Sequence, residues 1–246
     1  MMGDIYGYET IGIAKSKDEM DQHLASLPNG GQNALGTNWD AGDIMYKDLN
    51  GDGKIDNGGN KYDDMGDMKK IGNNTPRYLF GLDLNADYKG FDFRAFFQGV
   101  MKRDYWQGSA YFWGATSLWH STGFVEHADY FRAEASNDLH ANLNAYYPRP
   151  VFDSSKNRQK QTAYLQSAAY IRLKNVQLGY TLPANLTHKF YVSKLRVFVS
   201  GENLWTGTSL ANMFDPETIG GGDDTDKNGN AYPLSKTISF GISVTL

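Results

Sequence analysis

The last ten residues of the chain alternate strictly: Ile238, Phe240, Ile242, Val244 and Leu246 fall on one parity, and Thr237, Ser239, Gly241, Ser243 and Thr245 on the other. Strand side chains point alternately to opposite faces, so this pattern predicts a strand with one oily face and one small, polar face. A second signal lies between residues 78 and 101. Tyr78, Phe80, Leu82, Leu84, Ala86 and Tyr88 alternate with Leu79, Gly81, Asp83, Asn85 and Asp87, and Lys89-Gly90 then turns the chain. On the return, Phe91, Phe93, Ala95, Phe97, Gly99 and Met101 share a face opposite Asp92, Arg94, Phe96, Gln98 and Val100. This predicts a hairpin with arms of about ten residues, the length that crosses a bilayer at a tilt, where globular strands average about five or six.

Two further strands are predicted near 168–180 and 194–204, giving six strands at most with an extended stretch over 3–14. Within 168–180 the parity switches, with Ile171 and Leu173 on one side and Val176, Leu178 and Tyr180 on the other. The switch predicts a bulge near Lys174-Asn175. A short amphipathic helix is predicted from Ser16 to Leu27, where Ser16 and Glu19 fit a capping box and Met20, Leu24 and Leu27 share a face. Residues 40–76 read as an acidic loop, and residues 103–161 as a long aromatic loop without periodicity. Loops of that length are usually functional.

Composition sharpens the fold class. The 246 residues carry a net charge of −4, no Cys, 27 Gly, 16 Tyr, 13 Phe and 5 Trp. No apolar run approaches the roughly 20 residues of a spanning helix. Aromatics and glycines among polar strands suit a transmembrane barrel, whose polar interior lowers its average hydropathy. The acidic balance argues against a nucleic-acid partner. Without Cys there are no disulfides or thiolate sites. The five His residues lack zinc-type spacing, and no nucleophile elbow or phosphate loop occurs, so no enzyme activity is expected. The N-terminus has no export-signal pattern, which makes the chain read as the later part of a longer exported protein.

One segment carries metal chemistry. Asp48, Asn50, Asp52 and Asp56 occupy positions 1, 3, 5 and 9 of a calcium loop, Gly53 sits at the sharp turn and Lys54 offers its carbonyl. Position 12 is Gly59, so the closing carboxylate must come from Asp63, Asp64 or Asp67. The bland reading is a solvated Asp/Gly turn. Asp224-Thr-Asp226-Lys-Asn228-Gly229 is a weaker echo and reads as a polar turn. In the aromatic loop, Trp106 and Trp113 are the candidates for substrate stacking, against the alternative that they pack the loop.

Several segments in this order resemble the C-terminal part of SusC/RagA-family TonB-dependent transporters of Bacteroidota outer membranes. They are Gly42 to Asp56, Asp67 to Asn73 with Thr75 to Tyr78, Tyr146 to Pro150, Ala169 to Pro183, Val199 to Leu204, Phe214 to Glu217 and the closing strand. The resemblance covers nearly all of residues 1–246. It implies an all-β fold: the last strands of a transmembrane antiparallel barrel of 22 strands, with long extracellular loops and a plug inside. It implies an outer-membrane importer of glycan or peptide fragments, capped by a SusD-like surface lipoprotein and energised by TonB through an N-terminal region outside this chain. It also favours Asp67 as the last calcium ligand. Two departures stand out: the plug and TonB-contacting box are missing, and the last residue is Leu246 where an aromatic is usual. The competing reading is a soluble calcium-binding β-sandwich acting as a carbohydrate-binding module, which would bury each apolar strand face against a second sheet.

Overall fold

The computed structural model describes residues 2–114, 116–117, 119, 123–135, 139–219 and 231–246. The described chain divides into two compact units, one formed mainly by residues 1–74 and 105–166, the other by 75–104, 167–219 and 231–246.

The first unit holds short strands, two within the extended stretch expected over 3–14 and two where an acidic loop was expected. β1 (Asp4–Tyr8) and β2 (Thr10–Ile13) precede helix α1 (Lys17–Ala25), followed by β3 (Ile44–Tyr46) and β4 (Met68–Asn73). β1 pairs antiparallel with β4, and β2 with β3. Ser16 caps α1 by accepting the Glu19 N–H at 3.1 Å, and the Glu19 carboxylate reaches back to the Lys15 N–H at 2.6 Å. The expected capping box therefore forms with its return bond one residue early. Met20 is buried beneath this helix. The strand β3 escaped sequence reading because its three residues are all buried, which leaves no alternation to detect.

β5 (Arg77–Tyr88) and β6 (Phe91–Lys102) follow, then β7 (Asp104–Trp106), which pairs with β8 (Leu165–Ser167). Between β7 and β8 the described residues form only a short helix, α2 (Ala110–Trp113), besides single 3₁₀ turns. β9 (Tyr170–Thr181), α3 (Ala184–Thr187), β10 (Lys194–Thr208) and β11 (Thr237–Thr245) complete the chain. The eleven strands among the described residues exceed the six read from sequence because six of them span only three to six residues.

The second unit is one antiparallel sheet in the order β11-β10-β9-β6-β5. Its register builds continuous rows. Phe240, Val199, Leu178, Phe93 and Ala86 lie opposite one another across all five strands, as do Ile242, Val197, Tyr180, Phe91 and Tyr88. Between them runs the row Gly241, Phe198, Gly179, Asp92 and Asp87, and on the other side of the Phe240 row the row Ser239, Ser200, Gln177, Arg94 and Asn85. Gly241 is required here because a Cβ would collide with the Phe198 ring. Register shifts occur at Lys174 opposite Phe96/Phe97, where the parity switch placed the bulge, and between Glu202 and Trp205.

The apolar face is uncovered. Ile238, Phe240 and Ile242 are 64%, 83% and 70% exposed, and Leu82, Leu84, Phe91, Phe93 and Leu178 are exposed as well. The opposite face is laced with ion pairs: Arg196 to Asp92, Arg94 to Asp83 at 2.6 Å, and Arg172 to Asp215 and Glu217 at 2.6 and 2.7 Å. A sandwich would reverse this, burying the oily face and wetting the charged one. No helix among the described residues is long and apolar enough to cross a membrane.

Candidate metal loop and the ion-paired hub beside it

The calcium-type loop runs from the end of β3 to the start of β4. Its turns are set by its own carboxylates. Asp48 accepts the Gly51 N–H at 2.6 Å and the Gly53 N–H at 2.9 Å, and Asp52 accepts the Lys54 N–H at 3.1 Å. Gly53, at φ 77°, lies in the left-handed region that a side chain disfavours. Asp67 arrives from the far end of the loop, accepting the Leu49 N–H at 2.7 Å and the Asp56 N–H at 2.9 Å.

These turns bring carboxylate oxygens of Asp48, Asp52 and Asp67 within 4.8 Å of one another. Two oxygens on one calcium, each at about 2.4 Å, can stand no more than about 4.8 Å apart, so the spacing fits that ion. Asp67 is fully buried, and burial pushes its carboxyl pKa up, with the nearby Asp48 charge adding to the effect. A buried carboxylate beside a second one is what a dication would relieve. The other predicted ligands are engaged differently. The Asn50 side-chain oxygen accepts the Asp52 N–H at 2.9 Å, and Asp56 pairs with the Lys54 ammonium at 2.6 Å, which holds its pKa below the usual range. Lys54 is thus present through its side chain. Asp64 instead receives the Gly59 N–H at 2.8 Å. The second acidic segment, Asp224 to Asn228, lies outside the described residues.

A polar hub missed by sequence reading lies beside this loop. Asp43 is fully buried and receives Arg149 through two bonds of 2.8 Å, Lys156 Nζ at 2.7 Å and Asn157 Nδ2 at 2.8 Å. Lys156, 2% exposed, also donates to the carbonyls of Thr37 and Asn38 and lies 4.8 Å from the Trp39 ring. Burial alone would push Asp43 up, but the bonds from Arg149, Lys156 and Asn157 together hold its carboxyl below the usual range. Gln32 ties β3 to α1, accepting the Tyr46 N–H at 2.6 Å and facing His23 at 3.0 Å. Asp43 and Lys156 are more than a hundred residues apart, so no local pattern announces them.

Trp106 is buried and packs at a tilt against Trp113, with ring centroids 5.8 Å apart, in a cluster with Phe112, Tyr147 and Tyr164. Trp113 donates its indole N–H to the Gln107 carbonyl at 2.9 Å and borders a cavity described below. The cluster is a core for the aromatic segment, and of the two tryptophans Trp113 has the greater access to solvent.

Comparison with known proteins joins these features. No family model matches the chain. It is 27% identical over 250 residues to TonB-dependent receptor P3 of Formosa agariphila, and 27% identical over 252 residues to receptor P26 of the same organism. These alignments cover 99% and 97% of this chain but 22% of each relative. Its fold superposes on the RagAB peptide transporter with a TM-score of 0.64 at 23% identity, covering 98% of this chain and 22% of that one. The chain is thus similar in sequence to part of a TonB-dependent receptor, and in fold to part of the RagAB transporter. Its relatives are receptors and transporters rather than enzymes, in keeping with the absence of a catalytic motif. The segment spans about a fifth of the length of the relatives it matches.

Proposed function

We propose that this receptor segment forms part of the barrel wall and external loops of an outer-membrane importer of oligopeptide or oligosaccharide fragments. The observation that carries the reading is the two-faced sheet: a five-stranded apolar surface without cover, backed by charged rows that need an aqueous lumen. The outer edges of β5 and β11 pair with no strand among the described residues, and lipid does not tolerate open edges, so in this reading both continue into further barrel strands. TonB would supply the energy through the plug region outside the segment, and a SusD-like lipoprotein would cover the loops. Partitioning of the full-length gene product tests the membrane half of the proposal. Recovery as a stable monomer without detergent would overturn it. Uptake of a labelled oligopeptide and of a labelled oligosaccharide by cells with and without the gene tests the transport half.

We further propose a structural calcium ion held by Asp48, Asp52 and Asp67, with the Lys54 carbonyl and Asn50 completing the shell after small side-chain shifts, and Asp56 second to them because Lys54 already neutralises it. Calcium at a hundredfold excess over its dissociation constant should raise the stability of the intact protein by about 2.7 kcal/mol. Asp67→Asn should abolish that increase and also cost the metal-free protein about 1–3 kcal/mol, because the amide nitrogen cannot accept the backbone N–H that the second carboxylate oxygen takes. An increase that survives the substitution would place the ion elsewhere.

A further inference from the structure

A cavity of about 450 Å³ opens in the first unit, walled by Trp113, Phe124, Tyr130, Pro148, Val151 and the guanidinium-bearing Arg158 among others. Its polar groups are mostly committed. His127 accepts the Phe124 N–H on Nδ1 at 2.9 Å and approaches the Phe112 carbonyl with Nε2 at 3.0 Å. Asn157 spends its oxygen on the Ile44 N–H and its nitrogen on Asp43, and Arg149 is locked to Asp43. Arg158 is different. Its Nε and Nη2 grip the Ser154 carbonyl at 3.2 and 2.9 Å, which fixes the plane of the fork, while Nη1 donates to no acceptor among the described residues. No carboxylate of the described residues pairs with it, and Asp153 acts on it only at a distance. Burial depresses the Arg158 pKa, the mark of a cation held partly out of water without a counter-ion.

We propose that Arg158 is an anion receptor in this cavity, binding the terminal carboxylate of a short peptide whose last side chain is apolar. A planar guanidinium clamped along one edge can still meet a carboxylate with its remaining N–H groups, and such charge-assisted bonds are strong in a partly desolvated wall. The apolar walls choose the rest of the ligand. An oligosaccharide carries a hydroxyl on nearly every carbon and would leave many of them unpaired here, whereas a leucine- or phenylalanine-type side chain would not. This site rests on the import reading and narrows it to a ligand end-group.

Calorimetry on the full-length receptor in detergent tests it, with an N-acetylated oligo-alanine peptide ending in leucine, as free acid and as C-terminal amide. The free acid should bind at least about tenfold more tightly than the amide. Arg158→Gln should remove that preference, and Arg158→Lys should restore part of it. Heat-modifiable mobility on gels checks that each variant is folded. Equal binding of acid and amide, no binding of the acid, or an Arg158→Gln variant with unaltered preference would overturn the assignment. Arg158-dependent binding of an oligogalacturonate, with no peptide binding, would overturn the peptide choice. Binding in detergent needs neither TonB nor transport, so absent uptake with intact binding would strike the import reading alone.

Discussion

Asp43→Ala is expected to destabilise the first unit by about 3–5 kcal/mol, because it strands Lys156 as a buried, unpaired ammonium and frees Arg149. Hydrogen exchange in the full-length receptor is the appropriate measure, since it reads this unit separately from the barrel. Amides over residues 37–47 and 147–161 should lose protection together, because Asp43 holds both segments. Lys156→Met should cost less, since Asp43 keeps Arg149 and Asn157. Equal protection in the wild type and Asp43→Ala would remove the hub from the account. The pH dependence has a definite sign. The folded pKa of Asp43 lies below its unfolded value, so its contribution is fully present above about pH 4 and is lost as pH falls through the folded value. The wild type should lose protection in that acidic window, and Asp43→Ala should show a flatter profile there.

Phe240→Arg is the second large effect expected. Phe240 begins an apolar row that crosses all five strands, and a cation on a lipid-facing row costs up to about 2–4 kcal/mol near the bilayer centre. Ser239→Arg, one residue away on the opposite face beside Ser200, should cost far less because that row faces the charged side of the sheet. Urea unfolding of the full-length receptor in lipid vesicles compares the two. Similar losses for both substitutions would mean that the sheet does not separate lipid from water in the way its register implies. A sandwich would also suffer at Phe240, but its stability would not depend on the presence of lipid.

The long strands were legible because each is half-buried in a different medium on its two faces, and the alternation records that contrast directly. The hairpin over 78–101, the bulge at Lys174 and the closing strand all follow from parity alone. The short strands were not legible. β3 is buried on every side, and β7 and β8 span three residues each, too few for a period to emerge. The aromatic segment read as a loop because its order comes from ring packing among Phe112, Trp113, Tyr147 and Tyr164 rather than from backbone regularity.

The segments that carried the family resemblance turn out to be partners. Gly42 to Asp56 supplies Asp43, and Tyr146 to Pro150 supplies the Arg149 that pairs with it. Ala169 to Pro183 supplies Arg172, which pairs with Asp215 and Glu217 from the segment Phe214 to Glu217. Their spacing in the chain gave no hint of this, since an ion pair constrains two positions only through the fold that brings them together.

By itself, the sequence determined the sheet's two faces, the hairpin, the helix cap and the acidic loop, because each depends on residues within about ten positions of one another. The tertiary structure was needed to bring the Asp67 carboxylate within reach of Asp48 and Asp52, to gather Lys156, Arg149 and Asn157 on Asp43, and to leave Arg158 without a counter-ion among the described residues. Those outcomes depend on which distant charges meet in a place that water cannot reach, where an unpaired charge is costly and a paired one is fixed.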